Sequence, residues 1–280
     1  MLSQLWGPHF PVCVKTIALD YSQRFPDPIL KVVPADIDRF EGALAPLPKK
    51  GGWAVLYNPA INSSGRINYT LGHELGHYFA HRALVPAGFQ CGQNDVLGSA
   101  AKAAYQQRER EADDFSSHIL MPLDDFRKQV GEAPMTLDLL KLLADRYDVS
   151  LTAAALKWLE ATEQSAAVVV ATNGFVKWFR RSAAGEKVGL FFMPGSPLPA
   201  NSIASLGGLA QRSDGTRLPP GVWNNQSVRE IAIFADHYEM TISLLIFDHD
   251  RMRGDGWNEE VVEDSVDRFE ASVTERRQWD

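Results

Sequence analysis

The chain has 280 residues, 45% of them hydrophobic and 22% charged, which is enough for a sizeable core and for one to three domains. A formal net charge of −7 provides no general attraction to nucleic acid or to an acidic membrane surface. Two cysteines, Cys13 and Cys91, are too few for a disulfide framework or a Cys-based zinc site and suit a reducing cytoplasm. The opening residues MLSQLWGPHFPVC lack a cationic stretch followed by an apolar one, and no apolar run approaches bilayer-spanning length. A cytoplasmic protein without a membrane segment is therefore expected.

In chain order, VCVKTIALDYSQRF (12–25) places Val14, Ile17, Ala18 and Tyr21 at helical spacing. A proline-broken stretch follows, and GGWAVLYNPA (51–60) then predicts a short strand between a glycine pair and Asn58-Pro59. Leu71, Leu75, Tyr78 and Phe79 line the apolar side of a helix from about 69 to 83. Residues 86–99, with Pro86, Gly88, Gly92 and Gly98, read as a loop. A long helix is expected over 100–120, stopping at Met121-Pro122. Beyond GEAP (131–134), the segment 136–162 reads as helix–DVS–helix, with Ser150 as N-cap of the second helix. AAVVVAT and FVKWF predict a hairpin about Asn173-Gly174. A long Pro-, Gly- and Ser-rich loop over 193–221 and a strand over 241–250 complete the pattern. The tail, 250–280, holds ten acidic residues against five arginines and is expected to be a solvated helix or partly disordered.

The chemistry lies in HELGH (73–77). His73 and His77, four residues apart on a helix, share one face and can reach a single tetrahedral cation. Glu74 sits on the flank of that face, where it can take a proton from a water at the metal without being a ligand. Gly72 and Gly76 each cost a helix about 1 kcal/mol relative to alanine, a cost that calls for some packing or functional return, and Gly76 would let another backbone come close. Catalytic zinc commonly has three protein ligands. In QREREADDFSSHILMP (107–122), Glu109 can supply the third while Asp113, one turn on, accepts the other ring N–H of a ligand histidine. Glu111, on a different face, is the alternative ligand. His81 extends the HELGH face beyond the metal and reads as a packing or surface residue, and Tyr69 and Tyr78 are both candidates for polarising a carbonyl.

HELGHYF followed by EREADDFSSHILMP resembles the ImmA/IrrE-type metallopeptidases, whose pattern is HExxH, then Glu-x-(Glu/Gln)-Ala-(Asp/Asn)-x-Phe, then Leu-Met-Pro. The resemblance implies a gluzincin-like site with one zinc per chain, His73, His77 and Glu109 as ligands and Glu74 as general base. It favours Glu109 over Glu111. Ser116, Ser117 and His118 depart from the small or apolar residues usual there, which makes His118 a bystander or a polar group near the site. The resemblance further implies a narrow protein substrate, typically a transcriptional repressor, and a GAF-type sensor module at the C-terminus. The strand over 53–59 is expected to be an edge strand that pairs with extended substrate.

The expected architecture is thus an α+β, zincin-like (gluzincin-type) peptidase domain over 1–130, a small helix-turn-helix-like domain over 131–163 and a C-terminal α/β, GAF-like regulatory domain over 164–280. LTAAALKWLE, the would-be recognition helix, has one Lys and one Glu, whereas phosphate contacts need several cations; direct DNA binding is not expected. Two other readings remain open: a non-catalytic regulator that binds a repressor or an antitoxin-like partner, and a helix-turn-helix transcription factor with structural zinc.

Overall fold

The computed structural model describes residues 9–36, 40–61, 63–90, 99–235 and 240–248. The stripe of Val14, Ile17 and Ala18 becomes the buried side of α1 (Val14–Tyr21), which packs on β1 (Ile29–Pro34). With β2 (Gly42–Leu47), β3 (Gly52–Tyr57) and β4 (Phe89–Gln90) it forms a sheet in the order β1–β3–β2–β4. β1 and β3 are parallel, and β2 is antiparallel to both β3 and β4.

This order corrects one expectation. The strand in 53–59 is interior, since Trp53 to Tyr57 pair with β1 on one side and with β2 on the other. The strands that cover it lie in a stretch with Pro26, Pro28, Pro34, Pro46 and Pro48, which interrupts any alternating pattern. The edges of the sheet are β1 and the two-residue β4.

Helix α2 (Ser64–Ala80) lies over β2 and β3. It begins five residues before the expected start, with the Ser63 side chain accepting from Arg66 N–H as N-cap. Helix α3 (Ser99–Leu120) runs antiparallel to it, Gly72 facing Ser116 and Gly76 facing Ala112. After Pro122 the chain continues into α4 (Leu123–Val130), α5 (Leu137–Tyr147) and α6 (Leu151–Ala161). Thr136 and Ser150 cap the last two through Leu139 N–H and Ala153 N–H, and Asp148 turns the chain between them at φ 50°.

The second sheet contains β5 (Ala166–Thr172), β6 (Phe175–Arg181), β7 (Thr216–Leu218), β8 (Val228–Ala235) and β9 (Met240–Phe247), in the order β6–β5–β9–β8–β7, all antiparallel. The hairpin at Asn173-Gly174 is present, with φ 52° and 79° at its two central residues. Two findings differ from the sequence reading. The stretch 193–221 contains α8 (Ile203–Leu206) and β7, after α7 (Ala183–Lys187), and β8 is a strand that was not anticipated.

Both faces of this sheet are covered, which is why AAVVVAT shows no alternation. Val168, Val170, Ile231, Ile242 and Leu244 join a core that runs through Trp158 of α6 and Leu140 of α5 to Leu75 of α2 and Val55 of β3. Ala167, Val169, Ala232, Leu245 and Phe247 face a second core with Leu190, Phe192 and Ile203. The acidic tail (250–280) lies outside the described residues, as do residues 91–98 of the expected loop. No helix among the described residues is long and apolar enough to cross a membrane.

Candidate metal centre

Two glycines bring the site together. A Cβ on Gly72 would come within 2.5 Å of Ser116 Oγ, and one on Gly76 within 3.0 Å of Ala112 Cα. Without these side chains α3 lies directly on α2, and Ser116 Oγ donates to Tyr69 O at 2.8 Å across the seam. Just past the C-terminal end of α2, the Arg82 guanidinium pairs with Asp27 at 3.0 Å and stacks over Phe25 and Tyr78, tying this end of the helix to the segment before β1.

Close approach of the helices lets Glu109 of α3 reach the histidines of α2. His73 Nε2 and His77 Nε2 face each other at 3.0 Å, and the Glu109 carboxylate lies 3.4 Å from each. One atom from each residue falls within 4.8 Å of the other two. A tetrahedral cation with bonds of about 2.0–2.1 Å holds its ligand atoms about 3.3 Å apart, so this donor set fits a divalent metal. It also fits in charge, because two nitrogen lone pairs aimed at each other need a cation or a proton between them.

The electrostatics agree with that geometry. Burial pushes His73 down, but the carboxylates of Asp113, Glu109 and Glu74 outweigh it and raise the imidazole well above its ordinary range. Glu109 shows the converse. Burial pushes it up, and hydrogen bonds from His73 and His77 more than reverse that, holding the carboxyl at about 2. His77 is lowered, chiefly by burial.

The surrounding residues are placed as follows. Glu74 is completely buried, its side chain against Gly42 of β2. Asp113 Oδ1 lies 2.9 Å from His73 Nδ1 and also accepts from Tyr69 Oη at 2.8 Å. Burial and that carboxylate raise the Tyr69 phenol far above its usual range, so it keeps its proton and is a poor proton source. Glu111 is not in the cluster; its Oε2 lies 2.8 Å from His81 Nε2. Tyr78 is buried and donates to Asp27 O, away from the histidines. His118 is more than half exposed and pairs with Glu160 at 3.2 Å.

Sequence reasoning missed the environment of His81, which is 2% exposed, with Nδ1 3.0 Å from His77 Nδ1. The signal was its i+4 spacing from His77, read only as a distance from the metal. Gly42 was missed as well, and nothing local marks it, because its neighbour Glu74 is brought to it by the packing of α2 on the sheet.

A helix backed by a sheet, presenting two histidines to a glutamate of the next helix, is the arrangement of an α+β, zincin-like peptidase fold. Residues 28–159 match the family described as the IrrE N-terminal-like domain, Peptidase_M78, in agreement with the resemblance of HELGHYF and EREADDF. Among solved structures, a Mycobacterium tuberculosis transcriptional regulator is similar at 15% sequence identity and a TM-score of 0.53, over 88% of this chain and 86% of that one. At that identity the likeness is one of fold. No curated protein matches the chain.

Proposed function

We propose that this protein is a zinc-dependent endopeptidase that cleaves a specific regulatory protein in the cytoplasm, with a transcriptional repressor as the candidate substrate. In this reading residues 1–130 form the peptidase part, 131–163 a helical part and 164–280 a regulatory, GAF-like part. The observation that carries it is the convergence of His73, His77 and Glu109 on one point, within a domain of a metallopeptidase family.

His73, His77 and Glu109 would hold one zinc ion, with Asp113 fixing the ring of His73 through Nδ1–H. When bound, the ion supplies Lewis-acid polarisation of the scissile carbonyl and acidifies water at its open position. Glu74, held against β2, takes the proton of the attacking water and delivers it to the leaving amine. Its burial keeps the carboxylate in a water-poor setting, where it competes with little solvent for that proton.

DNA reading by α6 is disfavoured by its burial. Ala154, Ala155, Trp158 and Leu159 are core residues, and Lys157, its one cation, is 2% exposed and paired with Glu160 at 2.8 Å. Repressor control would then run through proteolysis.

Two measurements test this. Purified wild type should carry about one zinc per chain, and His77→Ala and Glu109→Ala should each lose it. In cells, protein chain ends that appear with wild type should be absent with Glu74→Gln. Full zinc loading together with an unchanged set of chain ends in Glu74→Gln would leave a metal-binding regulator and remove the peptidase.

A further inference from the structure

His81 and Glu111 stand outside the three-residue cluster, yet both bear on it through His77. We propose that they form a positioning pair that fixes the ring of His77 for the metal, an inference that rests on the metal-site reading above.

The tautomers follow from the contacts. His77 turns Nε2 towards His73 and Glu109, so its Nδ1 points away and meets His81 Nδ1 at 3.0 Å. A neutral imidazole that offers its Nε2 lone pair to a cation carries its proton on Nδ1. His77 Nδ1–H therefore donates to His81 Nδ1, and His81, accepting there, carries its own proton on Nε2. That N–H donates to Glu111 Oε2 at 2.8 Å. The opposite order would place a bare His81 Nε2 lone pair against a carboxylate oxygen at the same distance, two acceptors facing each other. Gln107, one turn earlier on α3, donates from Nε2 to Glu111 Oε1 at 2.8 Å and holds the carboxylate from its other side.

The two ligand histidines are thus oriented by the same helix in two ways. Asp113 of α3 accepts directly from His73, whereas Glu111 of α3 acts on His77 through a second imidazole. The intermediate ring spans from a buried ligand to a half-exposed acid: His77 and His81 are 0% and 2% exposed, and the Glu111 side chain is 47% exposed. The role belongs to the His81 side chain alone. Its backbone N–H closes the helix on His77 O at 2.8 Å, a bond that survives substitution of the ring.

The test is zinc affinity of the full-length protein, measured by competition with a chromophoric chelator, alongside the melting temperature of the metal-free protein. His81→Leu should weaken zinc binding about 10–100-fold with little change in metal-free melting. His81→Gln, whose carbonyl can accept from His77 Nδ1–H, should recover part of that loss. Glu111→Ala should weaken binding less, and the His81→Leu/Glu111→Ala double variant no more than His81→Leu, because Glu111 acts only through His81. Affinity within about threefold of wild type in both single variants would overturn the pair. So would a double-variant loss equal to the product of the two single losses. Glu111 is half exposed, so its variant keeps the packing and decides the matter if His81→Leu does not fold. A wild type that takes up no zinc removes the metal-site reading and this one together. A wild type that binds zinc no better than its variants removes only this one.

Discussion

Gly42 of β2 shows how much of the site depends on one missing side chain. A Cβ there would collide with Thr70 Cγ2 and come within 2.9 Å of Glu74 Oε1. Neither neighbour can give way into solvent, since Thr70 is 5% exposed and Glu74 0%. The proposed general base is thus seated directly on backbone. Gly42→Ala should displace the Glu74 carboxylate while leaving His73, His77 and Glu109 untouched. The expected result is full zinc content with cleavage slowed about 100-fold, the usual cost of a misplacement near 1 Å at a reacting group. Metal analysis and cleavage rate on the same preparation check it. Equal rates in variant and wild type would mean either that β2 shifts to make room or that Glu74 is not the base.

Among the elements, the α2–α3 seam decides whether a third ligand exists at all. Ala in place of Gly76 should gain about 1 kcal/mol of helix propensity but lose more to overpacking, about 1–3 kcal/mol, because the atoms it meets include the Ala112 backbone. We expect Gly76→Ala to melt lower than wild type and to bind zinc more weakly, as α3 and Glu109 move off the histidines. Calorimetry and chelator competition would read both, and an unweakened site in a stably folded Gly76→Ala would show that Glu109 does not depend on this seam. The glycines, HELGH and the carboxylates of α3 were all visible in the sequence because they sit on strongly periodic helices. What was hidden was set by contacts between distant segments. The first turn of α2 falls outside the helix expected over 69–83; a Cβ on Gly65 would collide with Asp148 O, so that turn lies packed on the α5–α6 corner. β1 and β2 were obscured by prolines, and without them β3 looked like an edge. His81 was judged by helical rise from the metal, which is sound for a ligand but does not see the second nitrogen of His77.

At the scale of the molecule, the metal helix and the C-terminal sheet share apolar ground. Leu75 and Tyr78 of α2 belong to the same core as Trp158 of α6 and as Val168, Ile231 and Leu244 of the second sheet. Polar ties reinforce the join: Arg229 of β8 donates to Met135 O at 2.7 Å, and Leu137 N–H at the start of α5 donates to Ser213 O at 2.8 Å. A core that is continuous in this way should open as one unit, so the metal-free protein is expected to melt in a single transition. Leu244 is fully buried on β9, paired in register with Val168 and Ile231, and far along the chain from HELGH. Leu244→Ala should cost about 2–5 kcal/mol. If the core is shared, hydrogen exchange at the amides of Leu75 and Tyr78 should accelerate by the same free energy as exchange in β5 and β9. Faster exchange confined to the second sheet, with α2 still protected as in wild type, would divide the molecule into independent folding units. The regulatory role proposed for the C-terminal part would then need a route to His73, His77 and Glu109 other than this core.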